Sequence, residues 1–312
     1  MKCPICDAVE CKVVGTANKV GVTADVYFCG LCETYFSENH SDEGQVAKFN
    51  SQEYPRATPS FYKRTAKAQV RWLRSELDFC KISSVLEIGC GMGFLLNELR
   101  RDAERVVGIE PDPVAVSYAR ERFKIEIIRQ RFEEYFSDEK FDLVIISHFL
   151  EHVTHPVKVV DKIRNMLNEK GEIFIEVPNS QFEIPIINGK PFLGNSCSHH
   201  LFVYSSSSFE WIAKKLELQI SVCQDCTNHF YANSVCTKMK IMENAYDLLA
   251  NSGSTRVALR TAMENLFYAG KRYLLGKVTS ILPVERNGGL RCILEKLPTK
   301  IDEPCYYQKS SG

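Results

Sequence analysis

The chain has 312 residues, 45% of them hydrophobic and 25% charged, with Lys+Arg and Asp+Glu both at 39. That length supports one large domain plus a small appendage around a core that needs no disulfides, and the zero net charge argues against a dominant nucleic-acid or anionic-membrane partner. No apolar signal core follows Met1-Lys2-Cys3-Pro4, and no run reaches the roughly 18 apolar residues of a membrane span, so a soluble, cytoplasmic protein without a membrane span is expected.

The thirteen cysteines begin with two close pairs, Cys3-x2-Cys6 and Cys29-x2-Cys32, with 22 residues between them. Each pair sits in a turn that aims two sulfurs at one point. Four thiolates make a closed tetrahedral shell, so Cys3, Cys6, Cys29 and Cys32 are expected to bind a structural zinc ion within a ribbon over residues 1–40. Residues 41–60 are polar, contain Pro55 and Pro59, and read as a linker or lid. Apolar spacing through Ala68, Val70, Trp72, Leu73 and Leu77 predicts an amphipathic helix over Phe61–Phe79.

From there the chain alternates apolar strands with helical stretches. Strands are expected at Val85–Ile88, Arg105–Ile109, Ile125–Ile128, Phe141–Ile146 and Glu172–Val177, with a helix at Phe94–Arg101 after the first. This alternation predicts an α/β fold over residues 61–299: a mainly parallel sheet with helices on both faces. Further strands are expected at Gln219–Gln224 and Leu290–Leu297. Between them, Leu259, Met263, Leu266, Phe267, Leu274, Val278, Ile281 and Leu282 form a stripe that predicts a helical insert over about 238–282. Its simplest role is a face buried against the main domain, with homodimerisation second. Residues 300–312 read as a tail. Cys223-x2-Cys226 has no second pair nearby and reads as packing.

The sharpest motif is Glu87-Ile88-Gly89-Cys90-Gly91-Met92-Gly93, at the end of the first strand. Glycines there allow a tight turn and a close ligand approach, and the following helix start favours an anionic ligand group. Glu110 ends the second strand about 20 residues on, where a carboxylate can accept both hydroxyls of a ribose. The G-x-G-x-G spacing departs from the G-x-G-x-x-G of dinucleotide enzymes.

These motifs resemble those of the class I S-adenosylmethionine-dependent methyltransferases. Glu87, Gly89, Gly91 and Gly93 match the family's first motif, and Glu110 its ribose-binding acid. Leu150-Glu151-His152, Glu176-Val177-Pro178-Asn179 and His200-Leu201-Phe202-Val203-Tyr204-Ser205 are similar to later family segments. The resemblance covers about residues 60–225 and implies a Rossmann-like, seven-stranded sheet that binds S-adenosylmethionine. Ser147, at the end of the fourth strand, joins the implied cofactor residues. Many relatives carry an acid for the adenine amine after the third strand, whereas Gln130-Arg131-Phe132-Glu133 stands here. Phe132 is therefore expected to wall the adenine. In its layout, with an N-terminal zinc module, the chain resembles deoxysugar C-methyltransferases, although His199 stands where they have Glu.

The cofactor's methyl is already activated, so the protein must mainly align a nucleophile for in-line displacement and, for a hydroxyl or acidic C–H, supply a base. His200 is the first candidate base and His148 the second, while His152 reads as packing. The expected acceptor is a small molecule, such as a hydroxylated metabolite or a nucleotide-linked or glycan sugar. Alternatives are an RNA or protein methyltransferase that docks through the ribbon, and a non-catalytic binding protein of the same fold. A nicotinamide enzyme follows from fold alone.

Overall fold

The computed structural model describes residues 1–19, 22–37, 59–184, 186–187, 189–191, 193, 197, 200–227 and 288–297. The expected linker up to residue 58, the insert over 238–282, His199 and the tail lie outside the described residues.

Strands β1 (Lys12–Lys19), β2 (Val22–Cys29) and β3 (Thr34–Ser37) form an antiparallel meander that carries the cysteine turns. The chain then enters helix α1 (Pro59–Glu76), whose Ala66, Gln69, Val70 and Leu73 are buried at helical spacing. Next come β4 (Ser84–Ile88), α2 (Phe94–Leu99), β5 (Arg105–Ile109), α3 (Pro113–Phe123), β6 (Glu126–Ile128), β7 (Phe141–Ser147), α4 (Pro156–Arg164) and β8 (Leu167–Pro178). Helix α3 begins where local chemistry says it should: Asp112 caps it by accepting from Ala115 N at 2.8 Å, and Pro113 occupies its first turn. A single helical turn, α5 (Ser180–Glu183), and a two-residue hairpin, β9 (Ile186–Ile187) and β10 (Lys190–Pro191), lead to β11 (Phe202–Val203). Helix α6 (Ser206–Lys215) opens on a capping box between Ser205 and Ser208, and strands β12 (Leu218–Thr227) and β13 (Gly288–Lys296) follow.

Seven strands form one sheet in the order β12-β13-β8-β7-β4-β5-β6. The five from β8 to β6 are parallel, and β13 runs antiparallel between β8 and β12. Side chains alternate between two cores. Leu86, Ile88, Val144, Ile146, Ile173 and Ile175 face α4, α6 and the cysteine-bearing segment. Val85, Leu143, Ile145 and Phe174 face α1, α2 and α3. The expected architecture is therefore present, with seven mainly parallel strands and helices on both faces. Strand β8 starts five residues before its expected beginning, at Leu167 rather than Glu172. The polar stretch Asn168-Glu169-Lys170 concealed it, because these residues lie toward solvent at the sheet's end.

Chain order reverses between β4 and β7: β5 and β6 step away on one side of β4, and β7 returns on the other. Ligands of open parallel sheets bind at such a switch point, beyond the strands' carboxyl ends. At the opposite end, Asp142 ties β7 to β4 and β8. It accepts from the backbone N–H of Ser83 and Ser84 at 3.0 and 2.9 Å, from both hydroxyls, and from Asn168 Nδ2 at 2.6 Å. Partial burial pushes Asp142 up, but the bonds from Asn168, Ser83 and Ser84 outweigh it and hold the carboxyl at about 2, below its usual 3.8. A carboxyl lowered on folding stabilises above its unfolded pKa and loses that contribution as pH falls through the folded one. Urea melts should show about 2 kcal/mol lost from this group on acidification to about pH 2. Asp142→Asn should lack that acid-labile portion.

The cysteine-bearing segment is not a free appendage. Strand β11 pairs antiparallel with β3, Phe202 opposite Phe36 and Val203 opposite Tyr35, so the segment's sheet has four strands, β1-β2-β3-β11. Cys32 O accepts from the Ser205 and Ser208 hydroxyls at 3.2 and 3.1 Å, and Thr34 Oγ1 lies 2.7 Å from Ser208 Oγ. Lys215, at the end of α6, binds Ile5 O and the Asp7 carboxylate.

Candidate active site

The glycine loop lies at the switch point. Gly89, Gly91 and Gly93 have φ of 70°, 51° and 73°, a left-handed run that side chains oppose. Gly89 is further constrained, since a Cβ there would stand 2.9 Å from Phe149 Cδ2. Gly89→Val should therefore push Phe149 and the loop apart and lower S-adenosylmethionine affinity at least about 100-fold, the equivalent of roughly 3 kcal/mol; calorimetric titration checks it.

Glu110 reaches back to this loop. Its Oε2 accepts from Gly91 N and its Oε1 from Asp112 N, both at 2.9 Å. Burial raises its carboxyl above the ordinary value, and the two N–H donors counter part of that. Glu87 is buried beneath the loop, and its Oε2 has no hydrogen-bond partner among the described residues. Burial and the neighbouring Glu110 push its carboxyl well up. A buried oxygen left without a donor is costly, and the ammonium of a bound S-adenosylmethionine is the kind of group that would relieve it. The loop, Glu87 and Glu110 thus fit the cofactor. Phe132, the expected adenine wall, follows β6. It is 2% exposed in a short 3₁₀ turn, edge-on to Phe149 with ring centres 6.3 Å apart, and the Lys162 ammonium lies 4.6 Å from its ring. Ser147 ends β7, where its hydroxyl accepts from Gln69 Nε2 at 2.8 Å.

Beyond Ser147 the chain carries a buried polar network. His148 has a left-handed φ of 52°, an uncommon conformation for a side-chain-bearing residue. Its Nδ1 lies 3.3 Å from Glu151 Oε1 and its Nε2 3.5 Å from Glu176 Oε1. Glu176 Oε2 accepts from Arg291 Nε at 2.7 Å and from Gln69 Nε2 at 3.3 Å. Burial pushes His148 down, but the bonds to Glu151 and Glu176 outweigh it and hold the imidazole at about 10. Burial likewise pushes Glu176 up, and Arg291 followed by His148 overcomes it, leaving about 2. His148, the second candidate base, thus has a carboxylate oxygen near each ring nitrogen, and both favour its protonated form. Gln69 and Arg291 were missed at the sequence level. Gln69 is one polar residue on an apolar helix face, a signal that could have been found, whereas nothing near Arg291 in the chain marks it.

His200 and His152 stand together instead. Their rings are 5.0 Å apart at 70°, and one donor atom from each lies within 4.8 Å of a Glu151 carboxylate oxygen. Leu201 N donates to Glu151 O at 2.8 Å, which fixes the His200 segment over the Leu-Glu-His turn. His152, expected to be packing, belongs to this cluster.

The four cysteine sulfurs of the N-terminal sheet also converge. Cys3–Cys32 and Cys6–Cys29 separations are both 3.5 Å, and all four sulfurs lie within 4.8 Å of one another. A tetrahedral zinc shell with Zn–S of about 2.3 Å has edges of about 3.8 Å, so this donor set fits zinc. Cys223 faces Cys292 across β12 and β13, sulfurs 2.7 Å apart, rather than any second pair. No helix among the described residues is long and apolar enough to cross a membrane.

Among curated proteins, the ubiquinone biosynthesis O-methyltransferase of Salmonella newport (strain SL254) is 31% identical over 116 residues, which are 35% of this chain and 45% of that protein. Its counterpart in Salmonella arizonae (strain ATCC BAA-731 / CDC346-86 / RSK2980) matches to the same extent. The match thus spans less than half the length of these relatives. Among solved structures, the N-methyltransferase NodS from Bradyrhizobium japonicum WM9 in complex with S-adenosyl-L-homocysteine has a TM-score of 0.47 at 15% identity, covering 81% of this chain and 97% of that one. The profile of the methyltransferase domain family matches residues 46–221, more than half of the chain, and takes in the glycine loop, Glu110 and the His148–His152 turn. By that match, the chain belongs to the methyltransferase domain family, whose class I members use S-adenosylmethionine.

Proposed function

We propose that the protein transfers a methyl group from S-adenosylmethionine to a hydroxyl of a small molecule, a hydroxylated metabolite or sugar. The carrying observation is the short path from cofactor loop to imidazole pair. Phe149 packs against Gly89, and Glu151 and His152 follow within the same turn. The cofactor supplies a methyl on a sulfonium, which needs no further activation. Glu87 and Glu110 hold the cofactor's ammonium and ribose. The Glu151–His152–His200 cluster receives the acceptor, and His200 takes its hydroxyl proton, with the Glu151 carboxylate steadying the resulting charge.

The four cysteines hold zinc, and through β3 and β11 that ribbon braces the segment beginning at His200. Internal bracing favours this role over macromolecular docking, because the β3 edge of the ribbon is already filled by β11. The ubiquinone biosynthesis relatives are named for O-methylation, in keeping with a hydroxyl acceptor.

The test is calorimetric titration with S-adenosylmethionine, followed by incubation of the loaded protein with methyl-labelled cofactor and fractionated extract. Label should enter small molecules, and Glu110→Ala should abolish its transfer. Label confined to protein or RNA, or no cofactor binding, would overturn the proposal.

A further inference from the structure

We infer that Glu151, His152 and His200 hold a divalent transition-metal ion beside the cofactor loop, with open coordination positions for the acceptor's oxygen. This deepens the function proposed above, on which it rests for the placement of the acceptor, and changes how the hydroxyl proton leaves.

The donors are two imidazole nitrogens and one carboxylate oxygen, all within 4.8 Å of one another. Glu151 is fully buried. Its Oε1 is engaged by His148, and its Oε2 has no hydrogen-bond partner among the described residues. A carboxylate so placed has one oxygen engaged by His148 and the other without a donor among the described residues. Ligating carboxylates are typically oriented by just such an outer partner. The backbone is also held on both sides of the cluster. Leu201 N donates to Glu151 O at 2.8 Å, His152 N to Phe149 O at 3.0 Å, and the buried Tyr204 hydroxyl to Leu150 O at 2.9 Å. The two rings stand at 70° to each other and are only partly buried.

Two imidazoles with one carboxylate suit zinc, iron(II), cobalt(II) or nickel(II), whereas magnesium and calcium take shells of oxygen. Three protein ligands leave room for a substrate oxygen, as in catalytic rather than structural sites. An acceptor hydroxyl bound to the ion would lose its proton to solvent near neutral pH. The oxygen's electron pair then forms the O–CH3 bond as the S–CH3 bond breaks, and the sulfonium departs as a neutral thioether. The ion keeps its oxidation state throughout.

The test is titration of the full-length protein with Co²⁺, read by calorimetry and visible absorption, against a His152→Ala/His200→Ala double variant that keeps the cysteine site. These two rings are partly exposed, so their removal spares the buried Glu151, and a thermal melt confirms folding. Wild type should bind one more Co²⁺ than the double variant, with d–d bands and no added thiolate charge-transfer band. Each single His→Ala change should weaken that step by more than the roughly 10- to 100-fold that loss of an outer-shell partner costs. Equal Co²⁺ binding by wild type and double variant, or equal preference for Mg²⁺, would overturn the inference. Protein that binds S-adenosylmethionine but no added Co²⁺ would retain methyl transfer with His200 as base. Protein that binds Co²⁺ but no S-adenosylmethionine would keep the metal site and lose the methyltransferase function.

Discussion

Cys29→Ser is expected to lower methyl transfer at least about 100-fold, the low end of what a positioned base contributes, while S-adenosylmethionine still binds. Cys29 is buried with its sulfur 3.5 Å from that of Cys6, and Ser is a poor fourth ligand for zinc. Structural zinc supplies roughly 10–16 kcal/mol to modules of this size, so the ribbon should unfold with its loss. That unfolding removes the partner of β11, which begins two residues after His200, and the support that Cys32 O gives the Ser205 and Ser208 hydroxyls. The glycine loop is held by other means: Gly89 N and Cys90 N both donate to Ile109 O. Metal content by atomic emission, cofactor affinity by calorimetry and labelled transfer together separate these effects. A variant stripped of zinc that kept full turnover would show that the ribbon does not position His200.

Arg291→Met should be the most destabilising single change in the polar network, by about 3–5 kcal/mol in urea unfolding, the usual cost of removing one partner from a buried ion pair. Arg291 is 6% exposed and lies on Glu176 at 2.7 Å, with its guanidinium 5.1 Å from the centre of the Trp72 ring. Its removal leaves Glu151 and Glu176 to share the single positive charge of His148. Pairing it with Glu176→Gln should recover part of the loss, because no uncompensated carboxylate then remains at that position. If Arg291→Met unfolds within about 1 kcal/mol of wild type, the network is solvated and does not hold β13 to β8.

Much of the fold and half of the site could be read from the chain in order. Short apolar runs at Val85–Ile88 and Phe141–Ile146 identified strands, because each contacts both cores within its own few residues. The glycine loop and Glu110 were legible for the same reason: turn chemistry is local, and the acid sits at the end of the very next strand. The two cysteine pairs needed only their spacing.

His148 shows where that legibility ends. Its residue type and its place after β7 suit a base, but its pKa is raised by Glu151 and by Glu176 on the neighbouring strand, and Glu176 is in turn paired with Arg291, 115 positions beyond it. The sequence alone determined the strand–helix alternation, the glycine loop with the acid at the next strand's end, and the four-thiol cluster, since each follows from backbone preferences or ligand spacing over short distances. Tertiary structure alone decided that Glu176 lies beside His148, that His152 joins His200 and Glu151, and that β11 completes the ribbon sheet. Burial, dielectric and strand pairing arise between segments far apart in the chain, and no local pattern encodes them.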